Sequence, residues 1–300
     1  MLDNLNILLI APVINLEILI NGLLIGAVFA LSAYGLALVW GVMNVKNLAQ
    51  GVFVMAGGYI CWWTWGLGLH PLLGLVLSAT VMWGIGWVIF MVVIRLVLDR
   101  DLFTSLLATF GVAIVMEQTM NILFGPDTQA INLGYDSVRM YGGVVSIGVQ
   151  KLLAFVLACL LAVAVIIFMK KSRMGQSIRA TAQNPRAARV MGIDTEKVYS
   201  FTFCLNAAIC GAAGALIAMI WLIQPFYGIP YSIRAFVIVT AAGLGNLPGV
   251  IAVGFAMGVI EQFGGFIAGA AYQQAIVVGL LLAVLFVRLI QQSRKRRVVE

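Results

Sequence analysis

Charge is what this 300-residue sequence has least of. Only 10% of its residues are Asp, Glu, Lys or Arg, against about 25% in a soluble domain. A soluble fold of this length needs a polar coat, which this chain cannot supply. Histidine is nearly missing as well, His70 beside Pro71 being the only one. With one imidazole and no Cys-x-x-Cys pair among Cys61, Cys159, Cys204 and Cys210, no zinc set can be drawn. The four cysteines lie in apolar runs and read as small buried hydrophobes. No Lys follows a Gly, so no Gly-x-x-x-x-Gly-Lys-Ser/Thr loop can cradle a nucleotide. No Ser or Cys has a base nearby. The expectation is a chain with no catalytic residues, no bound cofactor or metal, and no attached globular enzyme domain.

What the sequence does have is apolar length. Hydrophobic residues make up 63% of it and the mean hydropathy is +1.07. At ~20 apolar residues per membrane-spanning helix, that sets a ceiling of about nine spans. Nine apolar segments can be marked, at 14–40, 50–66, 72–95, 104–124, 150–169, 198–222, 234–245, 249–264 and 272–290. They are uniformly apolar rather than alternating, which argues for helices over outer-membrane strands. The expected fold is an all-α integral membrane protein. It has about eight or nine transmembrane or half-membrane helices in a single domain over 1–300. The first residues hold Asp3 and no basic residue, so no cleaved signal is expected and the first span stays.

The net charge of +7 resembles a nucleic-acid signal, but the basic residues flank apolar spans. The topogenic reading, Lys and Arg gathered on the cytoplasmic face, is preferred, and no nucleic-acid partner is expected. With the N-terminus periplasmic, every Lys and Arg except Arg139, Lys151 and Arg234 falls inside. That places the C-terminus in the cytoplasm and the chain in a bacterial inner membrane, with lipid as a partner. The rule holds only if 234–264 is two short segments, broken over 243–249 where Gly and Pro stop a helix. These are half-helices or a re-entrant pair. Unwound backbone at Gly243, Gly245 and Asn246 would offer hydrogen bonds to a polar solute at mid-membrane depth.

Two polar loops remain, a periplasmic one at 125–150 and a cytoplasmic one at 170–197. In the second, Asn184 is a good N-cap, Pro185 is favoured at the first helical position and Gly192 suits the residue past the end. Between them a helix of about two turns is expected over 185–191, with Arg186 and Arg189 on one face and Ala187 and Ala188 among its apolar residues. Asp194 caps the next helix, with Glu196 in its first turn. A short capped helix of this kind either docks into a protein groove or lies on anionic lipid.

The motifs here carry a resemblance. Ser172-Arg173-Met174-Gly175, then Arg179-Ala180, Ala188 and Gly192-Ile193 resemble the cytoplasmic loop of LivH-type permeases. These are the permease subunits of branched-chain amino acid (HAAT-type) ABC importers. Asn21-Gly22, Gly26, Ala30-Leu31, Gly35, Gly41 and Asn47-Leu48-Ala49-Gln50-Gly51 are similar to the family's first two spans, with Leu48 and Gln50 where Phe and His are common. Ala235-Phe236, Gly243 through Gly249, Gly254, Gly258 and Glu261 resemble its late glycine-rich block. The resemblance runs over most of the chain.

It implies a pathway-forming subunit for amino acids of the branched-chain type, or for related small polar or carboxylate solutes. A periplasmic substrate-binding protein would deliver them. It also implies a second, LivM-type permease and two ABC ATPases using ATP and Mg, which grip the helix formed by Asn184, Pro185, Arg186, Ala187, Ala188, Arg189 and Gly192. The competing readings are a stand-alone ion-coupled secondary transporter and a membrane-embedded enzyme. Gly22-x-x-x-Gly26 and Gly254-x-x-x-Gly258 are small-residue packing faces, or sliding ones.

Charges within spans are costly and mark functional candidates. Glu17 lies near a span end. Glu117, with Thr109 and Asn121 on roughly one face, and Glu261 each line the path or pair with Arg234 or a backbone amide. Gln50 is a further path candidate. Trp62, Trp63 and Trp65, and likewise Phe226, Tyr227 and Tyr231, read as an interfacial aromatic belt.

Overall fold

The computed structural model describes residues 12–98, 100–134, 137–140, 145–243 and 245–297. Asp3 and the expectation drawn from it lie outside these residues. α1 is Pro12–Met43, α2 Gln50–Gly66, and α3 runs Pro71–Val97 through a π-helical turn at Phe90–Ile94. α4 is Leu102–Phe124 and α5 Val149–Lys171. Three helices follow, α6 (Arg173–Gln183), α7 (Pro185–Val190) and α8 (Thr195–Ile220). α9 is Gly228–Ala242, α10 Leu247–Ala268 and α11 Gln273–Arg297. Single 3-10 turns occupy Pro225–Tyr227 and Ala270–Tyr272. A small antiparallel hairpin, β1 (Ser137–Met140) and β2 (Val145–Gly148), decorates the 125–150 loop.

Local chemistry sets the boundaries. His70 Nδ1 accepts from the Leu72 N–H, with Pro71 at the start of α3. The Asp101 carboxylate accepts from the Thr104 N–H at 3.2 Å and caps α4. Asn246 accepts from the Gly249 N–H and opens α10. Gly243, at φ +92°, closes α9 in a conformation that only glycine adopts freely.

Among the described residues, seven helices are long and apolar enough to cross a membrane: α1, α3, α4, α5, α8, α10 and α11. α2 and α9, at 17 and 15 residues, are the short ones. All nine expected apolar segments fall on helices. One end of the bundle gathers Lys46, Arg95, Arg100, Lys170, Lys171 and the α6–α7 arginines. It is called the basic end below. The fold is that of an all-α, multi-pass membrane protein.

α1 and α8 form the enclosed centre. α1 packs on α10 through the two small-residue faces, and α8 packs on α2 and α3. A Cβ on Gly26 would meet the Gly254 carbonyl at 2.8 Å, and one on Gly254 would meet the Ala30 Cβ at 2.5 Å. Small residues are thus needed here for close backbone approach.

The structure corrects the expected boundaries in three places. α9 begins six residues before 234, because the chain leaves α8 at Trp221 and turns helical again at Gly228. α10 already begins at Leu247, inside the expected 243–249 break, and is full length, so of this pair α9 alone is short. The 170–197 loop contains an additional helix, α6, opened by Ser172 Oγ accepting from the Gly175 N–H at 2.8 Å.

α2 and α9 both begin inside the bundle. Gln50, the first residue of α2, contacts Cys210, ten residues from the far end of α8 and about 15 Å along it at the helical rise. Gly228, the first residue of α9, packs on Gly51 and Val52. Ser232 Oγ donates to the Leu48 carbonyl at 2.9 Å and accepts from the Gly51 N–H at 2.8 Å, joining the two starts.

Candidate functional site

At the basic end, the expected short helix is α7. Asn184 Oδ1 accepts from the Arg186 and Ala187 N–H groups at 3.1 and 3.0 Å, and Pro185 takes the first helical position. Gly192, at φ +83°, lets the chain reverse, with the Ile193 N–H donating to the Ala188 carbonyl at 3.0 Å. Asp194 then caps α8, accepting from the Lys197 N–H at 3.2 Å. That N–H and the Lys197 ammonium hold the Asp194 carboxyl below its ordinary range.

The distribution of side chains on α7 differs from the expected one. Ala188 is the buried residue, and Arg186 and Ala187 are exposed. Arg186 and Arg189 are both exposed, and Arg189 Nε donates back to Thr195 Oγ1 at 3.0 Å. The outward apolar surface is Val190 and Met191, 87% and 81% exposed. Beside it lies a groove of about 600 Å³ between α3 and the start of α8, lined by Arg95, Leu98, Arg189, Ile193, Glu196 and Tyr199. Arg95 Nε and Glu196 Oε1 pair across it at 2.6 Å. The Arg179 guanidinium donates to the Met169 carbonyl and ties α6 to the end of α5. The expectation missed both α6 and the Arg95–Glu196 pair. Ser172 was the available signal for α6; the pair joins residues a hundred positions apart.

The path candidates separate. Glu261 pairs with Arg234, whose Nε lies 3.0 and 3.2 Å from the two carboxylate oxygens. The guanidinium sits 5.2 Å from the Phe29 ring and 5.1 Å from the Tyr231 ring. Arg234 is therefore inside the bundle, not on an outer segment as its neighbours implied. Tyr231 is buried beside it rather than part of a belt. Gln50 is fully buried, its Nε2 donating to the Ser32 carbonyl at 2.8 Å and to Cys210 Sγ at 2.9 Å. Cys210 in turn donates to Asn206 Oδ1 at 3.5 Å.

Gly243, Gly245 and Asn246 lie at one end of the bundle, not midway. Gly245 N is the nearest neighbour of a Cβ placed on Gly41, near the close of α1, and Gly243 faces Arg288. The Gly243 N–H donates to the Val239 carbonyl and Asn246 Oδ1 accepts from the Gly249 N–H, so both serve helix ends. Thr109 parts company with Glu117. It accepts from the Leu48 N–H at 3.2 Å and packs under the 44–49 connection.

This is the build of a multi-pass membrane protein. Residues 18–285 match the family described as branched-chain amino acid transport system / permease component, and the chain belongs to that family. The permease protein BraD of Pseudomonas aeruginosa, of a high-affinity branched-chain amino acid transport system, is 29% identical over 91% of this chain and 94% of its own. LivH of Escherichia coli, the corresponding permease there, is 27% identical over 91% and 93%. A solved structure of PsaBC from Streptococcus pneumoniae in complex with Fab covers 88% of this chain and 89% of that one, at TM-score 0.48 and 11% identity.

Proposed function

We propose that this chain is the path-forming permease subunit of an ATP-driven importer, and that α7 is where an ABC ATPase grips it. The solutes are amino acids of the branched-chain type, or related small polar or carboxylate compounds, handed over by a periplasmic binding protein. The basic end faces the cytoplasm and the hairpin end the periplasm, in keeping with the Lys and Arg bias. A second permease completes the path, and two ATPases hydrolyse ATP with Mg on chains other than this one.

The observation that carries this reading is the outward presentation of Val190 and Met191 on a short helix with capped ends and a buried Ala188. Two apolar residues in that position are matched by a protein groove. Arg189–Thr195 ties α7 to the start of α8, and Arg95–Glu196 ties α8 in turn to the end of α3, so a displacement of α7 can pass to both.

The test is reconstitution of the complex in liposomes. Arg186→Glu on the exposed face of α7 is expected to leave membrane insertion unchanged and to uncouple ATP hydrolysis from uptake. Unchanged coupling would reject α7 as the grip. Uptake by this chain without any ATPase would reject the importer reading and favour a stand-alone secondary transporter.

A further inference from the structure

The run Gly-Leu-Gly-x-x-Pro occurs twice, at 66–71 and at 243–248, so 177 positions apart. The same offset relates the elements around it. It carries the end of α1, Met43, onto the end of α8, Ile220. It carries Gln50 and Gly66, which bound α2, to within one residue of Gly228 and Ala242, which bound α9. Pro71 opens α3, and its equivalent Pro248 is the second residue of α10. Gly68 and Gly245 share a left-handed backbone, at φ +82° and +80°. The chain therefore holds two copies of one unit made of a long, a short and a long helix: α1–α2–α3 and α8–α9–α10. The copies are inverted. The first turn lies beside the 125–150 loop, where Leu69 and His70 share a cleft with Asn132 and Leu133. The second lies at the close of α1, against Gly41.

Each copy lends its first helix to the other. α1 packs antiparallel on α10, with Gly22 against Gly258 and Gly26 against Gly254. α8 packs antiparallel on α3, with Gly211 against Ser78 and Ala207 against Gly86. The result is two blocks, α1 with α9 and α10, and α8 with α2 and α3. The blocks meet at residues that the offset relates. Gly51 and Gly228 are equivalent, and a Cβ on Gly51 would fall on the Gly228 carbonyl. A residue can touch its own equivalent only on the two-fold axis between the copies, so the axis passes here. Ser232 of one block bonds the Leu48 carbonyl and the Gly51 N–H of the other. Gln50 Nε2 donates from α2 across to the Ser32 carbonyl of α1. The connections 44–49 and 221–227 are equivalent too, and each runs from the end of a long helix in to this axis. Phe226 and Tyr227 are therefore not interfacial anchors.

We infer that this axis is a pivot inside the subunit: the two blocks rock about Gly51 and Gly228, the bundle opening at its basic end as it closes at its hairpin end. The inference rests on the permease reading. In membrane folds built of inverted copies, one block rocks against the other and opposite ends open in turn. Points on the axis do not separate during such a rotation, so the bonds from Ser232 and Gln50 persist through it. Two glycines at the fulcrum leave no side chain to collide as α2 turns against α9. Distances between the blocks far from the axis must change, and with opposite sign at the two ends.

The experiment uses the full reconstituted complex with the half-buried Cys159 replaced by Ala, the other three cysteines being buried. Spin labels on Leu96→Cys and Pro248→Cys, both exposed, read the basic end between α3 and α10. Labels on Leu67→Cys after α2 and Tyr272→Cys after α10, also exposed, read the hairpin end. Each distance is measured by pulsed electron paramagnetic resonance without nucleotide and with ATP trapped by vanadate. One distance is expected to lengthen as the other shortens. Shifts of the same sign, a shift at one end only, or none at either end would overturn the pivot. If Pro248→Cys fails to assemble, Leu247→Cys beside it takes its place. ATP-driven uptake is measured on the unlabelled complex in parallel. Its absence would reject the permease reading, whereas uptake without opposed shifts would reject the pivot alone.

Discussion

Arg234 on α9 and Glu261 on α10 form a two-pronged ion pair, 14% and 6% exposed, inside the bundle. It joins the short helix to its full-length neighbour, and the flanking Phe29 and Tyr231 rings close it off. Taking one partner away leaves a charge without compensation in a low dielectric, at a cost of about 3–5 kcal/mol. Removing both leaves only apolar surface.

Glu261→Leu and Arg234→Met are therefore each expected to lower thermal stability of the detergent-solubilised chain strongly. The double variant Arg234→Met/Glu261→Leu is expected to recover most of the loss. A double variant no better than the sum of the singles would show that the pair is not coupled.

Asn184 supplies the cap of α7 through two backbone donors. Asn184→Ala should cost about 1 kcal/mol of local helix stability. Uptake per ATP hydrolysed should fall, and Asn184→Ser should restore it. Equal uptake in all three forms would mean that the geometry of α7 does not matter for coupling.

The cap of α8 makes a pH prediction. Hydrogen bonds from Lys197 depress the folded-state pKa of Asp194. Its contribution is therefore present above the ordinary Asp value, about 3.9, and is lost as pH falls through the lower folded value. Amide protection at Lys197, corrected for intrinsic exchange, should be level between about pH 5 and 8 on that basis. Protection that declined within that window would point to another titrating group.

Much of the fold was legible because hydrophobic runs report helices directly in a membrane protein. Asn184, Pro185, Gly192 and Asp194 announced their caps in sequence, since capping is a local interaction. What was not legible depends on tertiary contacts. Residues 223–233 lay outside the expected segments, yet α9 starts among them because Gly228 can press against Gly51. Phe226 and Tyr227 read as a belt because sequence gives their spacing but not their depth. Arg189 read as a twin of Arg186 because nothing local shows that Thr195 recaptures it. Glu261 had two readings that only the position of Arg234 could separate.

The π-helical turn at Phe90–Ile94 holds one residue more than an α-helical turn would. Each residue advances a helix by about 100°, so the extra one rotates everything after it by that angle. Arg95 is the first residue after it and points at Glu196. The inserted residue therefore acts as a phase shifter. It sets the azimuth at which α3 presents its cation to α8, independently of how the membrane-facing part of α3 is packed.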